Sequence, residues 1–222
     1  MAFLPLVGSG REVDDGPMTE NHALPLTHVL IFDGFDDLDA VAPLEILAAA
    51  GFPVHVVRPP SHPVAVHSAH GLAIDVVTSL SSEAELVVVP GGGWLDGSAE
   101  GVRAQCGREL PEALADLHRA GAVLASVCTG AMLLAAAGLM AGRPAVTNRM
   151  ALDDLAAAGA DVRRDARVVD AGSIVTGGGP AAGIDVAIRL VERFAGVPAA
   201  QRAARRLEHE PVGPLLVTVG AD

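Results

Sequence analysis

Three short stretches carry residue types at spacings that could do chemistry. In the first, the apolar, β-type run Ala122-Val123-Leu124-Ala125-Ser126-Val127 ends at Cys128, and the helix-forming run Gly130-Ala131-Met132-Leu133-Leu134 opens straight after it. A strand that turns sharply into a helix through a small residue lifts the side chain at the turn out of the sheet. The first amides of such a helix point toward the sulfur, which predicts a lowered thiol pKa and a nucleophilic thiolate. A buried structural cysteine fits the same pattern. In the second stretch, Phe35-Asp36-Asp37-Leu38-Asp39-Ala40-Val41-Ala42, Asp39 offers a carboxyl group for proton transfer, although capping or a solvated acidic loop would equally place Asp36, Asp37 and Asp39 there. The third, Gly91-Gly92-Gly93 after Leu86-Val87-Val88-Val89-Pro90, allows close backbone approach and leaves amides open to an anion, unless it is a plain turn. It is neither a P-loop nor a G-x-G-x-x-G, so nucleotide binding is unsupported.

These stretches must be held by something, and the pattern around them says what. His28–Phe32, Val54–Arg58, Leu86–Val89 and Ala122–Val127 read as buried strands, with Pro144–Thr147 a shorter one. Val64–His67 and Leu72–Val76, joined by His70-Gly71, read as an antiparallel excursion, and Arg167–Asp170 with Ser173–Thr176 as a hairpin-like pair. Helices are predicted from Pro43 to Gly51, Pro111 to Ala120, Gly130 to Ala137, Met150 to Ala158, Pro180 to Ala195 and Ala199 to Leu207. Proline costs about 3 kcal/mol inside a helix, so Pro43 is predicted at the helix start, leaving Asp39 in the preceding turn. Alternation of apolar strands with amphipathic helices predicts an α/β fold, a mostly parallel sheet with helices on both faces. Ligands bind such sheets beyond the carboxyl ends of the strands, and that edge is the common address of Asp39, Gly91-Gly92 and Cys128.

The chain has 222 residues, half of them apolar, enough for one sizeable core; we read residues 1–26 as a flexible N-terminal extension and 27–222 as one domain. Fifteen basic residues against 27 acidic ones give a net charge of −12 with no basic run, which disfavours a nucleic-acid partner. No apolar run is long enough for a membrane span. Two cysteines, Cys106 and Cys128, are too few for a disulfide scaffold and point to the reducing cytoplasm. His62, His67 and His70 lack the spacing of a metal set and read as hairpin surface, so no metal is expected.

Taken together, Asp36-Asp37-Leu38-Asp39-Ala40-Val41-Ala42-Pro43-Leu44-Glu45, Val89-Pro90-Gly91-Gly92, Ser126-Val127-Cys128-Thr129-Gly130, Thr176-Gly177-Gly178-Gly179-Pro180 through Asp185 and Leu207-Glu208-His209-Glu210-Pro211 resemble the ThiJ/PfpI superfamily, which is class I glutamine-amidotransferase-like, in its isonitrile hydratase branch. The resemblance covers residues 27–212 in order. It implies a flavodoxin-like sandwich in a homodimer that acts on a small molecule without a cofactor. Cys128 would be the nucleophile, Asp39 the acid beside it and Thr129 a holder of the active geometry. Gly91, Gly92, Gly178 and Asn148 would line an oxyanion-type pocket, built chiefly on the amides of Gly92 and Thr129. Protease-like members place His after the nucleophile where this chain has Thr129, which disfavours peptidase activity. Many hydratase-branch members read Thr-His-Trp where this chain has Thr147-Asn148-Arg149.

The reaction implied is hydration of an isonitrile to an N-substituted formamide. The same acid–thiol pair could instead serve a glyoxalase-like addition to small dicarbonyls, and a ligand- or redox-sensing domain is the non-enzymatic alternative. The residues after Leu207 are too few for a helix-turn-helix pair, which disfavours a self-contained regulator.

Overall fold

In chain order the backbone forms β1 (Thr27–Leu30), α1 (Asp37–Ala49), β2 (Val54–Val57), β3 (Ala65–His67), β4 (Ala73–Asp75), β5 (Leu86–Val89), α2 (Val102–Gln105), α3 (Leu110–Arg119), β6 (Val123–Ser126), α4 (Ala131–Ala136), β7 (Pro144–Ala145), α5 (Leu152–Ala157), β8 (Asp161–Val162), β9 (Val168–Asp170), β10 (Ile174–Gly177), α6 (Ala182–Ala195), α7 (Val197–Arg206) and β11 (Leu215–Val217). This computed structural model describes residues 23–94, 97–211 and 213–218. All of the N-terminal extension before residue 23 lies outside them.

Seven strands make one sheet in the order β11-β9-β10-β6-β5-β1-β2, parallel throughout except for the antiparallel pair β9–β10. Every residue of β1, β5, β6 and β10 is buried. Strands covered on both faces need no polar side, so β5 is unbroken leucine and valine, while β1, β6 and β10 bury Thr27, His28, Ser126 and Thr176 among their apolar residues. Helix α1 packs on α6 and α6 on α7, while α4 packs against α2, α3 and α5. The expected flavodoxin-like α/β sandwich is therefore the fold found. The excursion is also as read: β3 and β4 pair antiparallel, with Val66 opposite Ile74.

The start of α1 differs from expectation, and the difference matters for function. The helix begins at Asp37, not at Pro43, because the Asp36 side chain caps it by accepting from the Leu38 amide at 3.2 Å. Asp37 and Asp39 then sit in the first turn, where the helix dipole favours negative charge. Pro43 is tolerated inside; it has no N–H to give the Asp39 carbonyl, and its ring sits where α1 meets α6 at Gly183. Asp39 is thus carried on a helix packed against the sheet rather than on a turn.

Candidate functional site

Cys128 has φ 54°, left-handed for a residue with a Cβ. Such a conformation costs about 1–3 kcal/mol and persists only where the surroundings over-determine it. Here β6 ends at Ser126, Val127 stays extended and donates to the Val89 carbonyl at 3.0 Å, and a 3-10 turn over Cys128–Gly130 leads into α4. The carbonyl of Cys128 accepts from the Thr147 hydroxyl at 2.7 Å and from the Asn148 amide at 3.3 Å, which clamps the elbow from across the sheet edge. Gly130 is needed because a Cβ there would come within 2.8 Å of the Pro90 carbonyl oxygen. The strained strand-to-helix turn expected at Cys128 is present.

Around the sulfur, Asn148 Nδ2 donates to Sγ at 3.2 Å. Its amide has one orientation available, since Oδ1 accepts from the Met150 amide at 3.0 Å and so caps the 3-10 turn Arg149–Ala151. The Thr129 amide also donates toward the sulfur. Asp39 is fully buried; Oδ2 accepts from the Gly91 amide at 2.8 Å, and Oδ1 has no hydrogen-bond partner among the described residues. The carboxyl is close enough to the thiol for each to shift the other's titration.

Burial pushes the Asp39 carboxyl up to about 7, with the Asp36 charge adding to it and the Gly91 amide and the thiol partly opposing. Burial likewise pushes the Cys128 thiol up to about 12, reinforced by the Asp39 charge, while the Asn148 and Thr129 donors recover only part of the shift. The lowered thiol pKa expected from the helix amides is therefore corrected: desolvation and a neighbouring carboxylate outweigh a short 3-10 turn. The physical consequence is a thiol–carboxyl pair that holds one proton from about pH 7 upward, and two below it.

The two glycine amides expected to be open to an anion are both engaged. Gly91 gives its N–H to Asp39, and Gly92 gives its N–H to Thr129 Oγ1 at 3.0 Å. Together they tie the loop after β5 to α1 and to the elbow instead of leaving a vacant pair. A Cβ on Gly91 would stand 2.6 Å from Thr129 N, 2.7 Å from Thr129 Oγ1 and 2.8 Å from Asp39 Oδ2. Thr129 N is backbone, and the two side-chain oxygens are held by the Gly91 and Gly92 amides. Gly91→Ala is therefore expected to cost about 1–3 kcal/mol of stability or more, read as a lowered thermal midpoint. Gly178 stands one position further out: its amide donates to the Arg167 carbonyl at 3.0 Å, and it adjoins Thr147 rather than the sulfur.

The structure thus gathers Cys128, Asp39, Thr129, Asn148, Gly91 and Gly92 into one cluster, with Gly178 behind it. The clamp by Thr147 has no signature in the sequence; the asparagine cap preceding a short helix was the available sign for Asn148. His62 and His67 flank Asp33 at 3.3 and 3.6 Å, and His70 pairs with Asp37 at 2.9 Å, so these histidines fasten the β3–β4 excursion to the loop and helix beside it. Among the described residues no group of three or more His, Cys, Asp or Glu is placed to hold a metal ion.

Asp39 also makes a stability prediction. Its carboxyl titrates near 3.8 when unperturbed and about 7 in the fold, so between those values the folded form holds a proton the unfolded chain has released. Stability is lost as pH rises through that window, and ionised Asp39 costs the fold about 4 kcal/mol above it. Asp39→Asn is expected to melt higher than the parent at pH 8, with the gap closing toward pH 4. Equal midpoints at both pH values would contradict the raised pKa.

Residues 27–193 match the DJ-1/PfpI family. The chain is 34% identical over 192 residues to an isonitrile hydratase of Pseudomonas putida, an alignment covering 83% of this chain and 78% of that protein. It is 38% identical over 128 residues to an uncharacterised protein of the cpoL 5′ region of Streptomyces lividans, covering 54% and 84% respectively. Among solved structures, a ThiJ/PfpI family protein from Pseudomonas syringae superposes with a TM-score of 0.74 at 26% identity, over 92% of this chain and 84% of that one. Drosophila melanogaster DJ-1beta superposes with a TM-score of 0.72 over 85% of this chain and all of its own; at 24% identity the likeness is one of fold. The family match runs from β1 into α6, across the strands that carry the site, and by that extent this chain belongs to the DJ-1/PfpI family.

Proposed function

We propose that the protein hydrates an isonitrile to an N-substituted formamide through a covalent intermediate on Cys128. The observation that carries this reading is the buried thiol–carboxyl pair, Cys128 on a strained elbow beside Asp39 with its raised pKa. The similarity to an isonitrile hydratase supports it.

The chemistry needs a nucleophile and a proton that arrives at the same carbon. In the one-proton pair, the thiol proton passes to the Asp39 carboxylate as sulfur forms a bond to the terminal isonitrile carbon. Asn148 Nδ2 and the Thr129 amide stabilise the sulfur while it carries charge. Asp39, now a carboxylic acid, returns the proton to that carbon, giving a thioimidate R–N=CH–S–Cys128. Its regenerated carboxylate then takes a proton from water as the hydroxyl adds to the same carbon, and delivers that proton to nitrogen. Collapse breaks the C–S bond, releases R–NH–CHO, and sends the hydroxyl proton back through Asp39 to sulfur. Atoms balance as R–NC plus water, and no cofactor is invoked.

The reading includes a homodimer in the cytoplasm, supported by exposed Leu38 and Val41 on α1 and by two free thiols. No helix among the described residues is long and apolar enough to cross a membrane. The test is incubation of the purified protein with cyclohexyl isonitrile and, separately, methylglyoxal. N-cyclohexylformamide is the expected product; conversion of methylglyoxal alone would replace this reading with the glyoxalase-like one.

A further inference from the structure

We propose that the substrate carries a carboxylate on the group attached to its reacting end, bound by Arg149 in the cavity behind Asn148. This rests on the reading that Cys128 adds to a small molecule, and it names what distinguishes that molecule. A cavity of about 240 Å³ opens beside the cluster, lined among others by Thr147, Arg149, Arg164, Arg167, Gly178 and Gly179. It touches the site through its own walls: Thr147 clamps the Cys128 carbonyl, and a Cβ on Gly179 would lie 3.9 Å from Asn148 Nδ2, the atom that donates to the sulfur. The bare Gly178-Gly179 turn leaves that space open.

Three guanidinium groups line this one cavity in a chain whose net charge is −12. Two are already neutralised. Arg164 pairs with Asp153, and Arg167 Nε pairs at 2.6 Å with Asp185, which His209 also contacts at 2.8 Å. Arg149 is exposed and has no ion pair and no side-chain hydrogen bond among the described residues. Because it follows Asn148 directly, the group that holds the sulfur and the free cation are set by one short segment, Asn148 capping the turn that Arg149 begins. Asp165 also lines the cavity. The negative charge of Asp165 on the same wall penalises a doubly charged phosphate more than a singly charged carboxylate. A planar carboxylate matches the guanidinium fork in a two-bond arrangement.

The test uses products of the proposed reaction, whose binding does not require turnover. N-formylglycine and its neutral counterpart N-formylglycinamide are titrated by calorimetry into the parent protein, Arg149→Gln and Arg149→Lys. The acid is expected to bind at least about tenfold more tightly than the amide to the parent protein. That ratio is expected to fall to about one in R149Q and to an intermediate value in R149K, which keeps the charge and loses the fork. Equal affinities in the parent protein, undetectable binding of the acid, or an undiminished preference in R149Q would each overturn the proposal. Turnover of cyclohexyl isonitrile, measured on the same parent protein, reports on hydration alone. Acid preference without hydration would leave the carboxylate site standing and the reaction wrong; hydration without acid preference would do the reverse.

Discussion

Cys128→Ala is expected to lower formamide production from cyclohexyl isonitrile by at least about 10³-fold while the protein stays folded. The sulfur makes the bond to carbon in the first step; among the described residues beside it, Asn148 and the Thr129 amide are donors, Thr129 Oγ1 accepts from Gly92, and the Asp39 carboxyl is the proton carrier. Alanine keeps the Cβ, so the left-handed backbone and its clamps to Thr147 and Asn148 are unaffected in kind. The effect should therefore fall on turnover and spare the thermal midpoint to within about 1–2 kcal/mol of equivalent stability. A variant with near-parental turnover would end the covalent scheme. Cys106 gives no escape route, since its sulfur lies against the Met132 carbonyl and the charged group that acts on it is Arg103, not a carboxylate that could take its proton.

The second large effect is expected at Asp39, and it has a pH signature. Reaction needs the pair with a single proton, thiol protonated and carboxyl ionised. Below about pH 7 the carboxyl is protonated too and has no room for the thiol proton. Turnover should thus rise about tenfold per pH unit on the acid side, then level off above about pH 7 and below the thiol's own titration near 12. Asp39→Asn removes the proton carrier but keeps a carbonyl oxygen for the Gly91 amide. It is expected to lose about 10²–10⁴-fold in turnover and to flatten the acid limb. Initial rates from pH 5 to pH 9 on both proteins decide it. An acid limb retained in the asparagine variant would assign the titration to another group.

Which parts of this were readable in the sequence follows from where the governing interactions lie. Leu86–Val89 and Val123–Ser126 are buried on both faces, so their apolar character, broken only by Ser126, declared them strands, and the cysteine that follows one of them declared the elbow. The start of α1 was obscured because Asp36 caps the helix while Pro43 inside it imitates a helix start. Strand β11 is three residues long and two of them are exposed, so it carries no pattern; it exists because β9 offers it an edge. At the site, residue types and their positions at strand ends pointed to Cys128, Asp39 and the glycines. The direction of the thiol's pKa did not follow from local sequence, because it is set by burial among residues far along the chain and by a carboxylate 89 positions earlier (128 − 39). The use of both glycine amides was hidden for the same reason, since their acceptors are Asp39 and Thr129.

The sharpest test is to catch the bond between sulfur and carbon. Protein mixed with an isonitrile labelled with ¹³C at its terminal carbon, quenched during the first turnover and weighed intact, should gain the mass of one substrate molecule. Peptide mapping should place that mass on Cys128, and hydrolysis should return the label as the formyl carbon. Labelled formamide forming with no adduct at Cys128, at any quench time that resolves the first turnover, would contradict the account.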